Sequence, residues 1–471
     1  MKEQSKGQEM LDALSYKKKN VYEEADAEKI RRIYEYAEGY KAFLDRAKTE
    51  REATSAAIAM VEEGGYTEYR LGDTLKVGDK KYYNNGGKSV IVFRVGENDL
   101  ASDGVRIIAA HIDSPRIDLK QVPLYEEGGM AFLKTHYYGG IKKYQWVAQP
   151  LALHGVICKK DGSTVTVSIG EKDDDPVFCI SDLLIHLAQD QMTKPAKDVV
   201  EGDSLNLIVG GQPLKDTEKD AVKANVLKLL AETYGVEEED FISAELEIVP
   251  AGKARDMGLD RSMILGYGHD DRVCAFPSMA AVLDWKGTPE NTLCAILTDK
   301  EEIGSVGATG MGATYFENTV AELYDAVHGY DALGVMRAMQ NSRMLSSDVS
   351  AGYDPNFASV FEKKNAAILG QGICFNKFTG SRGKSGSNDA NAEYVAQIRS
   401  IMDGANVAWQ TAELGKVDVG GGGTIAYICA KYGMNVIDSG IAVLSMHAPY
   451  EIINKADLYE GYKCYCAFLK D

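Results

Sequence analysis

No stretch of this sequence stays apolar long enough to cross a bilayer as a helix. No Cys-x-x-Cys occurs either; the eight cysteines are scattered, and the nearest pair is Cys464 and Cys466. A cysteine-based zinc ribbon is therefore not supported. Cys158, Cys294 and Cys429 fall inside apolar patterns, as reduced structural thiols of a cytoplasmic protein do. The opening residues 1–7 are polar and carry no apolar core of a secretory leader. Positive charge is short as well, with 52 Lys and Arg against 70 Asp and Glu and a formal net charge of -18. That balance argues against a general nucleic-acid binder, whose affinity comes from neutralising phosphates. Phosphate-binding loops are missing too. No G-x-G-x-x-G follows a strand, and Gly383-Lys384-Ser385 has Phe378 where a P-loop needs its first glycine. The expectation is a cytoplasmic protein with neither a membrane nor a nucleic acid as partner.

What is present is ordinary globular composition, 45% hydrophobic and 26% charged over 471 residues, a length at which two domains are the default. Residues 27–64 have helical periodicity, and Thr49-Glu50-Arg51-Glu52 has capping-box spacing for a second helix. Strand patterns at 105–110, 292–297, 342–347 and 434–438 alternate with helical ones at 273–285, 390–402, 424–432 and 455–470. Between 119 and 249 the texture changes to short β-type runs, such as 147–158 and 164–169. Helical stretches are expected there only at 180–192 and 220–234. The reading is an α/β fold: a mixed, mainly parallel sheet flanked by helices, formed by residues 1–118 and 250–471. A smaller β-rich domain, residues 119–249, is inserted into it.

Polar clusters stand where these strands end. The apolar run 292–297 exits into Asp299-Lys300-Glu301-Glu302-Ile303-Gly304-Ser305. In open α/β sheets ligands bind in the crevice outside the carboxyl ends of the strands. Neighbouring side chains leaving a strand point different ways, so Glu301 and Glu302 can do different jobs. A Glu-Glu pair alone is more often a solvated turn. Beside it, however, stand His111, Asp270, Asp348 and His447, each at a comparable exit. Two imidazoles and four carboxylates suit two divalent ions, with zinc, cobalt and manganese all accepting such ligands. His136, His154, His186 and His328 are taken as structural.

Five segments in order, Ala110-His111-Ile112-Asp113-Ser114-Pro115, His269-Asp270-Asp271, Asp299 to Ser305, Ser347-Asp348 and Met446-His447, resemble the aspartyl aminopeptidase (aminopeptidase I) family of co-catalytic zinc peptidases, and its bacterial branch in particular. The resemblance implies a zinc-exopeptidase-like fold whose inserted domain pairs subunits into a large homo-oligomer, often a dodecamer. It implies two divalent metal ions per subunit, zinc first, with His111 and Asp348 on one ion and Glu302 and His447 on the other. Asp270 would bridge them, Asp113 would fix the ring of His111, and Glu301 would be the general base toward a water held between the metals. Short peptides would be the substrates. Aspartyl aminopeptidases take an acidic first residue, yet the cation expected near position 374 is here Cys374, with Lys377, Arg382 and Lys384 close by. Those three, and Gly421 in the glycine run 420–423, are the candidate substrate contacts. The alternatives are a related di-zinc carboxypeptidase-like or N-acyl amino-acid hydrolase, and a catalytically silent assembly protein.

Overall fold

The computed structural model describes residues 5–471; the first four residues of the polar opening lie outside it. Its centre is a nine-stranded mixed sheet. Four strands at its heart, Thr292–Thr298, Val105–His111, Arg343–Ser347 and Asn435–Gly440, run parallel and side by side. Antiparallel neighbours Ser89–Arg94 and Ile373–Asn376 flank them. Period-two alternation fills two cores from the same strands. Ile108, Ala110, Ala295 and Leu297 pack under the helices Ala27–Arg46, Glu50–Glu63, His269–Leu283 and Lys455–Phe468. Ile107, Ala109, Cys294 and Ile296 pack under Tyr315–His328 and Ala332–Asn341 on the other face. The helix at Glu50 starts with the full capping box, Thr49 and Glu52 each reaching the other's backbone.

Register decides where the polar exits go. Thr298 pairs with His111, Ser346 with Ala109 and Ser347 with Ser439. The segments after these strands therefore leave from one edge. A five-stranded sheet carrying Met263–Gly266 and Glu451–Asn454 closes beside that edge.

A six-stranded antiparallel sheet begins at Arg116, immediately after the His111 exit, in a strand that runs to Glu127. Its partners Met130–Tyr138, Leu151–Cys158, Thr164–Ile169, Leu207–Gly210 and Ala244–Pro250 come from the same segment. They enclose a core of their own around Leu133, Trp146, Leu153, Phe241 and Leu246. The helix expected at 220–234 is present as Ala221–Tyr234. The one expected at 180–192 is not: the chain there makes two short 3-10 turns, Ile185–Leu187 and Gln191–Thr193. An amphipathic pattern becomes a helix when its apolar face meets a core. Here Leu183, Leu184, Ile185, Leu187 and Met192 are exposed, and Asp182 ties the backbone of Leu183 and the side chain of Gln191 into a loop. The run at 424–432 likewise shortens to Ala426–Ala430. All eight cysteines are free thiols. Among the described residues no helix is long and apolar enough to cross a membrane.

Candidate metal centre

His111 ends its strand with the ring turned toward the sheet edge. Its Nδ1 lies 2.9 Å from the backbone oxygen of Asp113, and its Nε2 lies 3.0 Å from Asp270 Oδ1 and 3.7 Å from Asp348 Oδ1. A carbonyl oxygen only accepts, so Nδ1 carries a proton and Nε2 is the nitrogen turned toward the carboxylates. His447 repeats the arrangement. Nδ1 donates to the carbonyl of Gly140 at 2.8 Å, while Nε2 lies 3.2 Å from Asp270 Oδ2 and 3.6 Å from Glu302 Oε2. Asp270 thus shows one oxygen to each imidazole. His447 sits at φ 66, a conformation few non-glycine residues adopt, and Glu451 holds it there by accepting its backbone N–H at 2.8 Å. The other carboxylate oxygen of Glu451 accepts the backbone N–H of Asp270 at 3.0 Å.

The adjacent glutamates lie on a single 3-10 turn, Glu301–Ile303, bounded by left-handed residues Lys300 (φ 65) and Gly304 (φ 92). Asp113 anchors the turn. One of its oxygens accepts the Glu301 N–H at 3.1 Å, the other the Glu302 N–H at 3.2 Å and the Tyr138 hydroxyl at 2.8 Å. The turn sends Glu302 toward His447, and the Glu301 carboxylate lines the cleft without a hydrogen-bond donor among the described residues. Potential ligand atoms fall into three sets, within each of which all lie within 4.8 Å of one another: His111, Asp270 and Asp348; Asp270, Glu302 and His447; and His111, Glu301 and Glu302.

The electrostatics ask for positive charge. Burial opposes a proton on His111, yet hydrogen bonds to Asp113, Asp270 and Asp348 hold its pKa well above the usual range. His447 is raised to about 10, burial again opposing and Asp270 and Glu302 prevailing. Burial, reinforced by the charge of Asp348, lifts Glu301 to about 8. Burial and then Asp270 lift Glu302 well above its ordinary value. Glu302 Oε1 is buried with no hydrogen-bond partner among the described residues, and Asp270 Oδ1 faces His111 Nε2 at 3.0 Å. Such atoms are arranged as ligands facing a shared point, and the donor set of imidazole and carboxylate suits zinc.

Around this cluster opens a cleft of about 490 Å³, completed by Asn376, Thr379, Leu414, Gly421, Gly422, Gly423, Thr424 and Asp438. Among the described residues its lining holds no lysine or arginine. Lys377 and Lys384 lie outside it; both bind Asp389, at 2.5 and 3.0 Å, and Lys384 covers the ring of Phe378. Arg382, on the same loop, is outside it as well. Cys374 is buried in a small core with Ala367, Ala412 and Ala442. Gly421 does line the cleft at φ 129, but a Cβ there would come within 2.5 Å of the Ser381 backbone. Its lack of a side chain admits the neighbouring loop.

Sequence reasoning missed four contributors. Tyr138 and Gly140 come from the β-rich segment and reach Asp113 and His447. Glu451 looks like an ordinary strand residue, and only its spacing of four from His447 hints at a shared turn. Asp438 is buried in the cleft, its carboxyl pushed up to about 7 by burial; the Thr424 hydroxyl donates to one oxygen at 2.6 Å, and the other has no partner. The remaining histidines stay outside the cleft lining. His154 bridges Glu52 and Glu171, His269 is buried against the hydroxyl of Tyr40, His136 meets the Tyr137 carbonyl, and His328 lies near Asp99.

Comparison with known proteins gives one consistent answer. The family described as Aminopeptidase I zinc metalloprotease (M18) matches residues 43–469. The probable M18 family aminopeptidase 1 of Clostridium acetobutylicum is 56% identical over 458 residues, 96% of this chain and 98% of that one. A crystal structure of an M18 aminopeptidase from Thermotoga maritima superposes with a TM-score of 0.93 at 42% identity, covering 97% of this chain and 100% of that one. The S. cerevisiae mApe1 dodecamer shares the fold at a TM-score of 0.74 and 22% identity, over 92% of this chain and 96% of its own.

Proposed function

The chain belongs to the aminopeptidase I zinc metalloprotease (M18) family, and from that premise we propose that it removes the amino-terminal residue of short peptides with Glu301 as general base and two divalent ions per chain. His111 and Asp348 would hold one ion and Glu302 and His447 the other, with Asp270 available to both. The observation that carries this is the division of Asp270, one oxygen toward each imidazole. Zinc fits these ligands first, and cobalt and manganese accept them too. When bound, such ions acidify water and polarise the scissile carbonyl. The chain's own part is proton handling and positioning. Glu301, engaged by no protein donor, takes a proton from water in the cleft and returns it to the leaving amine. Asp113 keeps the Glu301–Glu302 turn and the ring of His111 in register.

A cleft lined by Asp270, Glu301, Glu302, Asp348 and Asp438, with no lysine or arginine in its described lining, favours a substrate that presents an ammonium group. That supports an aminopeptidase over a carboxypeptidase-like or N-acyl hydrolase, which would need a positive group to hold a carboxylate. For the first residue's side chain the lining offers Asn376, Thr379 and Thr424. An acidic first residue would have to draw on Lys377, Arg382 or Lys384 from outside that lining, so acceptance of neutral as well as acidic first residues is the reading. Rates over a series of amino-acid p-nitroanilides test it; exclusive cleavage after Asp and Glu would overturn the broad preference. Metal content per chain, with activity after chelation and add-back, tests the centre itself. Fewer than two ions in a fully active sample would end the two-metal reading.

Residues 119–249 act as the inserted domain through which the chain self-associates into a large closed homo-oligomer, as the yeast relative's dodecamer suggests. The exposed apolar group at Leu183, Leu184, Ile185, Leu187 and Met192 supports this. Light scattering that returns a monomer would refute it. Free thiols and the lack of a membrane-crossing helix among the described residues support a cytoplasmic location.

A further inference from the structure

The β-rich segment reaches the metal cleft through Tyr138, Gly139 and Gly140. Behind this crossing lies a second cavity of about 560 Å³, lined by Tyr137, Gly139 to Tyr144, Ala196 and Lys197. Gly140 belongs to both linings, and a Cβ on Gly139 would stand 3.3 Å from Glu302 Oε2, so the two spaces are neighbours across one thin wall of glycine. The volume is within the roughly 300–1,000 Å³ of small-ligand sites.

Its charge is what singles it out. In a chain with 70 acidic and 52 basic residues, this cavity is lined by Lys142, Lys143 and Lys197 and by no acidic side chain. Among the described residues none of the three forms an ion pair, whereas the lysines closest in sequence to the expected specificity position, Lys377 and Lys384, are both held by Asp389. An aminopeptidase needs room for one residue on the amino side of the scissile bond and for a chain of any length on the other. The buried end of the cleft at Asp438, Thr379 and Asn376 is the blind side, and an acidic group there would face the Asp438 carboxylate. The lysine cavity shares Gly140 with the cleft, and a Cβ on Gly139 or Gly140 would stand 3.3 Å from Glu302 or 3.4 Å from His447.

We propose that Lys142, Lys143 and Lys197 form a subsite for a carboxylate on the leaving part of the peptide, one or two residues past the scissile bond. The carboxylate is the terminal one of a short peptide or an Asp or Glu side chain near the cut. This rests on the aminopeptidase reading and deepens it, since it makes short acidic-tailed peptides the preferred class. The attraction is that of partly exposed charges, so it weakens with salt.

Steady-state kinetics on the full-length, metal-loaded protein test the proposal. Leu-Gly-Gly is compared with its carboxyl-terminal amide and with Leu-Asp-Gly amide, and the series is repeated with Asp first. The free acid is expected to show a KM about fivefold below the amide, the size of a few screened charge pairs. That advantage should shrink as salt rises. Recovery of the low KM in the Leu-Asp-Gly amide assigns the subsite to side chains as well; failure to recover it confines the subsite to the terminal carboxylate. In the triple variant Lys142→Gln, Lys143→Gln, Lys197→Gln the ratio of the two KM values should fall to near one. Equal KM for acid and amide in the natural chain, or an unchanged ratio in the variant, overturns the subsite while leaving the aminopeptidase intact. Cleavage of an N-acetylated peptide together with no cleavage of the amide would instead bring down the aminopeptidase reading.

Discussion

The hydroxyl of Tyr138 and the carboxylate of Asp113 are joined by a 2.8 Å hydrogen bond that crosses from the six-stranded sheet to the sheet edge bearing the metal-binding residues. The guanidinium of Arg116 lies 3.8 Å from the centre of the Tyr138 ring and is itself held by Asp118 and Glu247. The same carboxylate carries the backbone of both Glu301 and Glu302. Tyr138 thus positions the turn that carries Glu301 and Glu302.

Replacing Tyr138 with Phe removes this hydrogen bond and keeps the ring. Partners of ligand residues typically influence metal affinity or activity by 10–100-fold, so a loss of about tenfold is expected in competition with a chelator. The melting temperature should change little. Unaltered metal affinity would make the contact merely structural.

Glu301→Gln keeps the shape of the turn and removes the proposed base. Turnover should fall by about 10²–10⁴ while metal content stays at the natural level, measured by elemental analysis of the same sample. Near-normal turnover would place the base elsewhere.

Glu451→Gln tests the residue hidden in its strand. Its two oxygens accept the backbone N–H groups of Asp270 and His447, and a carboxamide presents a donor to one of them. Weaker metal binding by about tenfold, with slower turnover at limiting metal, is the expected result. Unchanged binding would show that the left-handed turn at His447 holds without it.

Stability should depend on pH through His154. Burial works against its protonated ring, but the hydrogen bonds it donates to Glu171 and Glu52 prevail and raise it to about 9, above the ordinary 6.5. A raised pKa in the folded state stabilises fully below the unfolded value and is lost as pH climbs through the folded one. Unfolding free energy should therefore decline between about pH 6.5 and 9, by roughly 3 kcal/mol at most from this group. In His154→Gln that part of the slope should vanish, as read by denaturant melts across the range. An identical slope in the variant would remove His154 from the account.

Much of the centre was legible because it follows from strand physics. Apolar runs that end in a polar residue define where a parallel strand stops, and register then gathers the ends of 105–111, 292–298 and 343–347 on one edge. His111, Glu301, Glu302 and Asp348 come together for that reason. Tyr138 and Gly140 were not legible, since their contacts depend on the path of a loop between two sheets. The helix expected at 180–192 failed because periodicity records an apolar face but not whether anything covers it. Lys377 and Lys384 were sought for their charge, and charge in sequence does not reveal that Asp389 already balances it.

The carbonyl of Gly140 fixes the ring orientation of His447, and the phenol of Tyr138 braces Asp113. A shortened enzyme made by excising 119–249 and rejoining the ends would lose both donors of order at once, leaving one imidazole free to turn and one carboxylate short of a partner. The two parts of this chain are consequently not separable modules. Any attempt to graft residues 1–118 and 250–471 onto another scaffold, or to exchange the β-rich segment with that of a relative, has to carry the crossing at 138–140 with it.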